Sequence, residues 1–363
     1  MGLLLTKRDA AVKRILVTGG AGFIGSNFVR RAIRDGFCVL NLDALTYAGN
    51  LSSLKEVEAH ANYRFVQGDI GDPELVSALL RDFRPDAIVN MAAESHVDRS
   101  IDGPAAFLQT NVLATQILLD CALKYWSEGA EVSDEGFCFL HVSTDEVYGD
   151  IEIGFFTEES PYAPNSPYAA SKAASDHIVR AYNKTYGLPV IVTNCTNNYG
   201  PFQYPEKLIP LAILKALSGQ KIPVYGTGEN IRDWIFVEDH CEALFKTLEN
   251  GKIGETYLIG AQNERRNIDV VEAICSELDR LKPSNRGTSY SSQISFVDDR
   301  PGHDARYAVS AGKAMRELSW HPQTNFESAL RTTISWYLMN EDWISSALDK
   351  KYHGERLGLK KNV

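Results

Sequence analysis

The segment Gly19-Gly20-Ala21-Gly22-Phe23-Ile24-Gly25 constrains this chain more than any other. It follows the apolar, β-rich run Ile15 to Thr18 and precedes a stretch with helical spacing at Phe28, Val29, Ala32 and Ile33. Strand, glycine turn and helix together are the context that gives the spacing meaning. Glycines at 19, 22 and 25 permit a tight turn and bring a pyrophosphate close to the helix N-terminus, where unpaired N–H groups and the macrodipole favour an anion.

The next strand ends are consistent with a dinucleotide there. Phe37 to Asp43 closes on a carboxylate near the spacing at which an acidic residue accepts hydrogen bonds from the adenosine ribose. A carboxylate at that point repels a ribose 2′-phosphate, so NAD is expected rather than NADP. Asp69 and Ile70 close the third strand (Arg64 to Val66) and frame the adenine. Met91, Ala92 and Ala93 end the fourth (Ala87 to Met91), where the backbone runs close to the cofactor.

The alternation continues through the strands Cys138 to Ser143 and Val190 to Asn194, with helical spacing at Leu75, Leu79 and Leu80 and at Val112, Thr115, Leu118 and Leu119. It predicts a parallel, doubly wound α/β sheet, an NAD-binding Rossmann fold. Past Gly200 the pattern changes to Pro-, Tyr- and Gly-rich loops with intermittent helices, Leu208 to Ser218 and Ile268 to Leu281, and no comparable run of strands. The expected division is a Rossmann domain over 1–200 and a smaller C-terminal α/β substrate-binding domain over 201–345. Trp234 to Val237, then Glu238 and Asp239, read as a strand entering a helix that returns to the first domain near 232–250.

A formal charge of −10 over 363 residues argues against nucleic acid as partner, since duplex binding needs a basic face. Any anionic ligand must therefore meet local cations. No apolar stretch near the length of a bilayer span stands out, so no membrane role is expected. The six cysteines form neither a C-x-x-C pair nor a metal-ligand spacing, which predicts reduced thiols, a cytoplasmic protein and no metal. Residues 1–12 read as a disordered start despite a loose Gly2 acylation pattern, Glu128 to Glu135 as a surface excursion, and the tail after Lys350 as frayed.

The chemistry concentrates in STDEVYG at 143–149, where the vicinal acids Asp145 and Glu146 follow a buried-strand pattern. Tyr168 and Lys172, the one Tyr-x-x-x-Lys in a chain with 16 tyrosines, share a helix face. For the phenol to act as a base near neutrality its pKa must fall by about three units, roughly 4 kcal/mol. A neighbouring ammonium and a nicotinamide cation can supply that.

Together the glycine turn, the strand-end Asp43 and Tyr-x-x-x-Lys resemble the extended short-chain dehydrogenase/reductase superfamily. Within it, DALTYAGN (43–50), AAESHVDRSI (92–101), STDEVYG, NNYGPFQYPEKLIP (197–210), RDWIFVEDH (232–240) and DRPGHDARYA (299–308) are similar to the dTDP-glucose 4,6-dehydratase family, from about Lys13 to Trp336. The resemblance implies a redox-neutral hydro-lyase and a homodimer with the Tyr168 helix at its interface. Tyr168 takes the proton of the hydroxyl on sugar carbon 4, and Thr144 hydrogen-bonds that oxygen. Glu146 removes the carbon 5 proton, and Asp145 protonates the departing carbon 6 hydroxyl. An isolated Asp-Glu pair would read as a solvated turn, but a simple epimerase or decarboxylase of the superfamily needs no such pair.

By the same resemblance NAD is held by Gly19, Gly22, Phe23, Ile24, Gly25, Asp43, Ala44, Leu45, Thr46, Asp69, Ile70, Met91, Ala92, Ala93, Ser95, Thr110, Ser143, Tyr168, Lys172 and Asn198. Ala44 stands where the family usually carries Lys. The nucleotide sugar falls to Ser95, Thr144, Asn197, Lys207, Leu208, Pro223, Val224, Tyr225, Arg232, Asn267, Asp299, Arg300 and His303, with Pro223 and Val224 near the base. Two alternatives stay open on the residues alone: the same dehydration of UDP-glucose, and a catalytically silent NAD-binding scaffold.

Overall fold

The computed structural model describes residues 13–128, 136–284 and 287–348. The expectations for 1–12, for most of 128–135 and for the tail after 350 lie outside these residues. Among the described residues the strands are β1 (Arg14–Thr18), β2 (Cys38–Asp43), β3 (Tyr63–Gln67), β4 (Ala87–Asn90), β5 (Cys138–Thr144), β6 (Val190–Cys195), β7 (Asn197–Tyr199), β8 (Ile222–Tyr225), β9 (Ile231–Phe236), β10 (Thr256–Ile259), β11 (Glu264–Arg266) and β12 (Ile294–Val297). Seven of them form one parallel sheet in the order β10-β6-β5-β4-β1-β2-β3. The order reverses between β1 and β4, and the crevice outside their carboxyl ends is where open α/β sheets bind ligands.

Burial on both faces explains the near-continuous apolar runs of β1, β5 and β6. Successive side chains point to opposite layers, so Ile15 and Val17 pack under one set of helices while Leu16 packs under the other. The first layer is α1 (Phe23–Arg34). On the opposite side α2 (Pro73–Phe83) packs with a long helical stretch made of α3 (Val97–Asp102), α4 (Pro104–Phe107), wider π-type turns over Leu108–Ala114, and α5 (Thr115–Glu128), followed by α6 (Pro167–Tyr186).

The stretch Pro104–Glu128 corrects one expectation. It is 25 residues long and contains an 18-residue window of mean hydropathy 1.3, which is long and apolar enough to cross a membrane. Gln109, Thr110, Asn111 and Gln116 interrupt its apolar run, so it escapes notice in the sequence. Ala114, Leu118, Leu119 and Ala122 bury one side of it in the core.

The second half adds α7 (Leu208–Leu217), α8 (Val237–Asn250), α9 (Asn267–Leu281), α10 (Gly312–Leu318), α11 (Phe326–Met339) and α12 (Glu341–Leu348). β9, running into α8, is the strand expected at Trp234; four further short strands, β8, β10, β11 and β12, stand where loops and helices were expected, and β10 completes the large sheet beside β6. α8 packs on α1, with Phe28 and Phe245 stacked 4.4 Å apart. A separate core gathers Ile209, Ile213, Val224, Trp234, Val270, Ile274, Phe326 and Leu330 around the small sheets β11-β9-β7 and β12-β8.

Candidate active site

The glycine turn is built for close approach. Gly19 has φ +70°, and a Cβ there would lie 2.7 Å from the Ala92 nitrogen; one on Gly25 would lie 2.2 Å from the Gly19 oxygen. Ala92 and Met91 are held against this turn by N–H donation to the Thr18 hydroxyl, 3.2 Å in each case. Asp43 ends β2 with its two oxygens accepting from the Ala21 and Leu45 N–H groups, both at 2.8 Å, so it also organises the turn and the 44–46 segment. Asp69 and Thr110 line a cleft of about 210 Å³ with Gly71 and Ala114. Phe23 and Ile24 open α1, and Ile70 is buried after β3. A backbone cradle with no room for side chains, at the sheet's reversal point, fits a dinucleotide. The Asn198 side chain instead faces Thr196 O at 2.9 Å and His240 at 2.8 Å. A cleft of about 320 Å³ between Arg31 and Trp320 shares no residue with this set.

β5 carries Ser143 and Thr144 to the carboxyl edge, and a short 3₁₀ turn over Asp145–Tyr148 presents the two acids, with Thr144 as its cap. The Thr144 hydroxyl accepts from Glu146 N at 3.3 Å and lies 3.4 Å from Asp145 Oδ1. α6 begins at Ser166, whose hydroxyl accepts from Ala169 N at 3.1 Å, with Pro167 in the first turn. That start sets Tyr168 and Lys172 against β5, where Lys172 Nζ donates to Val142 O at 2.9 Å. Tyr168 packs edge-on to Phe107. Thus Thr144, Asp145, Glu146, Tyr168 and Lys172 come together.

The two carboxyls differ. Burial, then the neighbouring Glu146 and Asp233, push Asp145 well above the ordinary carboxylate range. Burial also leaves Glu146 raised above the ordinary carboxylate range, opposed by Arg300, Lys207 and Arg232. Glu146 is partly exposed, whereas Asp145 is 2 % exposed and its Oδ2 has no protein partner. One group favours the acid form and the other faces three cations, the separation that acid–base pairing at one pH requires. Burial raises the Tyr168 phenol, as do Glu146 and Cys195, while Thr144 lowers it. Burial lowers the Lys172 ammonium, opposed by Asp176.

The remaining residues line the same side. Lys207 Nζ, at the start of α7 beside Leu208, donates to Ser95 O at 2.8 Å. Arg232 is buried, donates to Asp304 O at 2.8 Å and lies over the Tyr307 ring. Arg300 and Tyr225 both reach Asp98, and His303 contacts Asp299 at 2.6 Å and the Tyr225 ring edge. Pro223 and Val224 lie on β8, Asn267 opens α9, and the Asn197 side-chain oxygen is buried without a partner. Sequence reading passed over Asp98, Asp176, Asp304 and Tyr307. Asp176 had a signal, being four residues beyond Lys172 on the same face; the others act across long separations that no local pattern reveals.

A family model for GDP-mannose 4,6 dehydratase matches residues 16–333. A dTDP-glucose 4,6-dehydratase of Xanthomonas campestris pv. campestris (strain B100) is 58% identical over 344 residues, 94% of this chain and 98% of that one. The crystal structure of DesIV, a dTDP-glucose 4,6-dehydratase from Streptomyces venezuelae with NAD and dTDP bound, is 48% identical with a TM-score of 0.83, covering 92% of this chain and 99% of that one. The Bacillus anthracis dTDP-glucose 4,6-dehydratase in complex with NAD is 46% identical with a TM-score of 0.82, over 92% and 99%. With acid pair, phenol and glycine cradle on one sheet edge, and relatives this similar over nearly their whole length, the chain belongs to the dTDP-glucose 4,6-dehydratase family.

Proposed function

We propose that this chain dehydrates dTDP-glucose to dTDP-4-keto-6-deoxyglucose, with NAD as a resident cofactor regenerated in each turnover. The observation that carries the reading is the contrast between Asp145, buried and biased toward its acid form, and Glu146, faced by three cations, on one short turn beside Tyr168. Gly19, Gly22, Gly25 and Asp43 would hold the dinucleotide, which when bound accepts hydride from carbon 4 and returns it to carbon 6.

The protein's own groups move the protons. Tyr168, with Lys172 one turn along its helix, takes the proton of the carbon 4 hydroxyl. The ketone so formed acidifies carbon 5, and Glu146 removes that proton. Asp145 gives its proton to the carbon 6 hydroxyl, which leaves as water, and Glu146 returns its proton to carbon 5. Arg232, Arg300 and Lys207 meet the diphosphate; guanidinium forks suit its oxygens.

The nucleotide-sugar domain is assigned to the separate core within 201–345, α8 and β10 belonging with the large sheet. A homodimer through α5, α6 and the turns between Leu108 and Ala114 is supported by Leu108 and Leu113, each about half exposed there. Six free thiols support a reducing, cytoplasmic setting. dTDP-glucose deuterated at carbon 4 tests the reaction: the label should appear in the product methyl group. UDP-glucose turned over as efficiently would shift the substrate assignment, and turnover of neither would overturn the reading.

A further inference from the structure

We propose that Glu206 fastens the loops after β2 and β4 to each other across the glycine turn, and so retains the dinucleotide between the two hydride transfers. The inference rests on the function proposed above, which creates the need for it. Hydride leaves carbon 4 and returns to carbon 6 of the same sugar, so a dinucleotide that departs in between ends the cycle. Glu206 is a positioning residue in this reading, acting through the loops that it joins.

The strand order puts the two loops on either side of the cofactor cradle. β1 lies between β4 and β2, so its glycine turn is flanked by the segment after Asp43 and by the segment after Asn90. A ligand seated on that turn lies between them. The first segment folds back on the turn, with Asn50 N donating to Ala21 O at 2.9 Å, and carries Tyr47. The second carries His96 and Arg99 at the start of α3.

Glu206 arrives from just before α7 and reaches both. The Tyr47 hydroxyl donates to its Oε1 at 3.0 Å. His96 Nε2 and Arg99 Nε each stand 3.6 Å from Oε2, an oxygen otherwise without a partner. The Arg99 guanidinium also lies 4.0 Å from the centre of the Tyr47 ring. Burial, with Lys207 and Arg99, lowers His96 to about 2, and its Nδ1 accepts from Arg99 N at 3.3 Å. The neutral ring therefore carries its proton on Nε2, toward Glu206. Burial raises Glu206 to about 7, and a carboxyl accepts from Tyr47 in either protonation state.

The segment that brings Glu206 is itself tied down. Asn27 of α1 donates to Pro201 O at 3.1 Å, and Arg30 lies 4.3 Å over the Phe202 ring. Lys207 adds a second tie to the loop after β4 through Ser95 O at 2.8 Å. With its side chain 1 % exposed, Glu206 makes these contacts where water competes weakly.

Holoenzyme loaded with radiolabelled NAD and chased with unlabelled NAD tests the strap in Glu206→Ala and Tyr47→Phe. Glu206→Ala should release label at least about tenfold faster than the unsubstituted protein, since truncating one partner of a buried contact acts on dissociation. Tyr47→Phe, which removes one hydroxyl and leaves the ring for Arg99, should release it several-fold faster. Adding Tyr47→Phe to Glu206→Ala should change little further, because the two act through one contact. While turning over dTDP-glucose, the Ala variant should lose activity progressively and keep it when NAD is supplied in solution. Label retained by both variants as long as by the unsubstituted protein would overturn the strap. So would additive effects of the two substitutions, or a decay of activity that added NAD leaves unchanged. An unsubstituted protein that retains label but turns over no dTDP-glucose would instead refute the dehydratase reading, leaving label release to decide on Glu206.

Discussion

Asp98 and Arg300, 202 positions apart, meet at 2.8 Å, and the other oxygen of the same carboxylate accepts from the Tyr225 hydroxyl at 2.9 Å. One buried acid therefore positions two residues assigned to the nucleotide sugar. Removing one partner of such a pair leaves a buried charge uncompensated. Asp98→Ala should raise KM at least about tenfold, roughly 1.4 kcal/mol, with a smaller change in kcat. Steady-state kinetics, together with calorimetric titration of dTDP, would check it; unchanged dTDP affinity would remove Asp98 from a positioning role.

Glu146→Gln removes the base proposed to take the carbon 5 proton while leaving Tyr168 and Thr144 in place. Loss of a positioned base costs about 10²–10⁴ in rate. Product formation should fall by that factor while oxidation at carbon 4 proceeds and stalls, seen as near-ultraviolet absorbance of reduced NAD on the enzyme. Tyr168→Phe should suppress that absorbance. If both variants behave alike, the division of labour between the two residues is wrong.

Asp145 also marks a cost to stability. Its pKa is raised in the folded state, chiefly by burial, so above the ordinary carboxylate value of about 4 the native state holds a proton that the unfolded chain releases. The unfolded state then binds fewer protons, and stability falls as pH rises until the raised pKa is passed. Asp145→Asn should accordingly melt higher than the unsubstituted protein at pH about 8, by about 2 °C for each kcal/mol relieved, and the gap should close toward pH about 4. Thermal melts of both proteins across that range measure it. A gap independent of pH would mean that the carboxylate is not the source of the cost.

Where neighbouring residues carry the information, the sequence was readable. β1 to β6 announce themselves as apolar runs between turns, and the glycine spacing, the Asp145-Glu146 pair and the Tyr168-Lys172 pair are each contained in a few residues. β10 escaped because its four residues, Thr256–Ile259, are too short to form a period and gain their place only by pairing with β6. Asp98 escaped for the same reason at longer range: its partners Tyr225 and Arg300 are brought to it by the second core. The pKa contrast between Asp145 and Glu146 depends on Lys207 and Arg300, which lie far along the chain.

The apolar residues left on the outer side of the long helix support an association surface. Leu113 is about half exposed on turns that pack beside α6, the helix bearing Tyr168, so a second copy seated there would also brace the catalytic helix. An arginine at 113 would be a buried, unpaired charge in such an interface, because symmetry sets the two copies' substitutions near one another. Leu113→Arg should convert a dimer to a monomer in light scattering and lower kcat, while far-ultraviolet circular dichroism stays unchanged because the residue is exposed in the single chain. A Leu113→Arg protein that remains dimeric would place the interface elsewhere, and a monomer with full activity would separate association from catalysis.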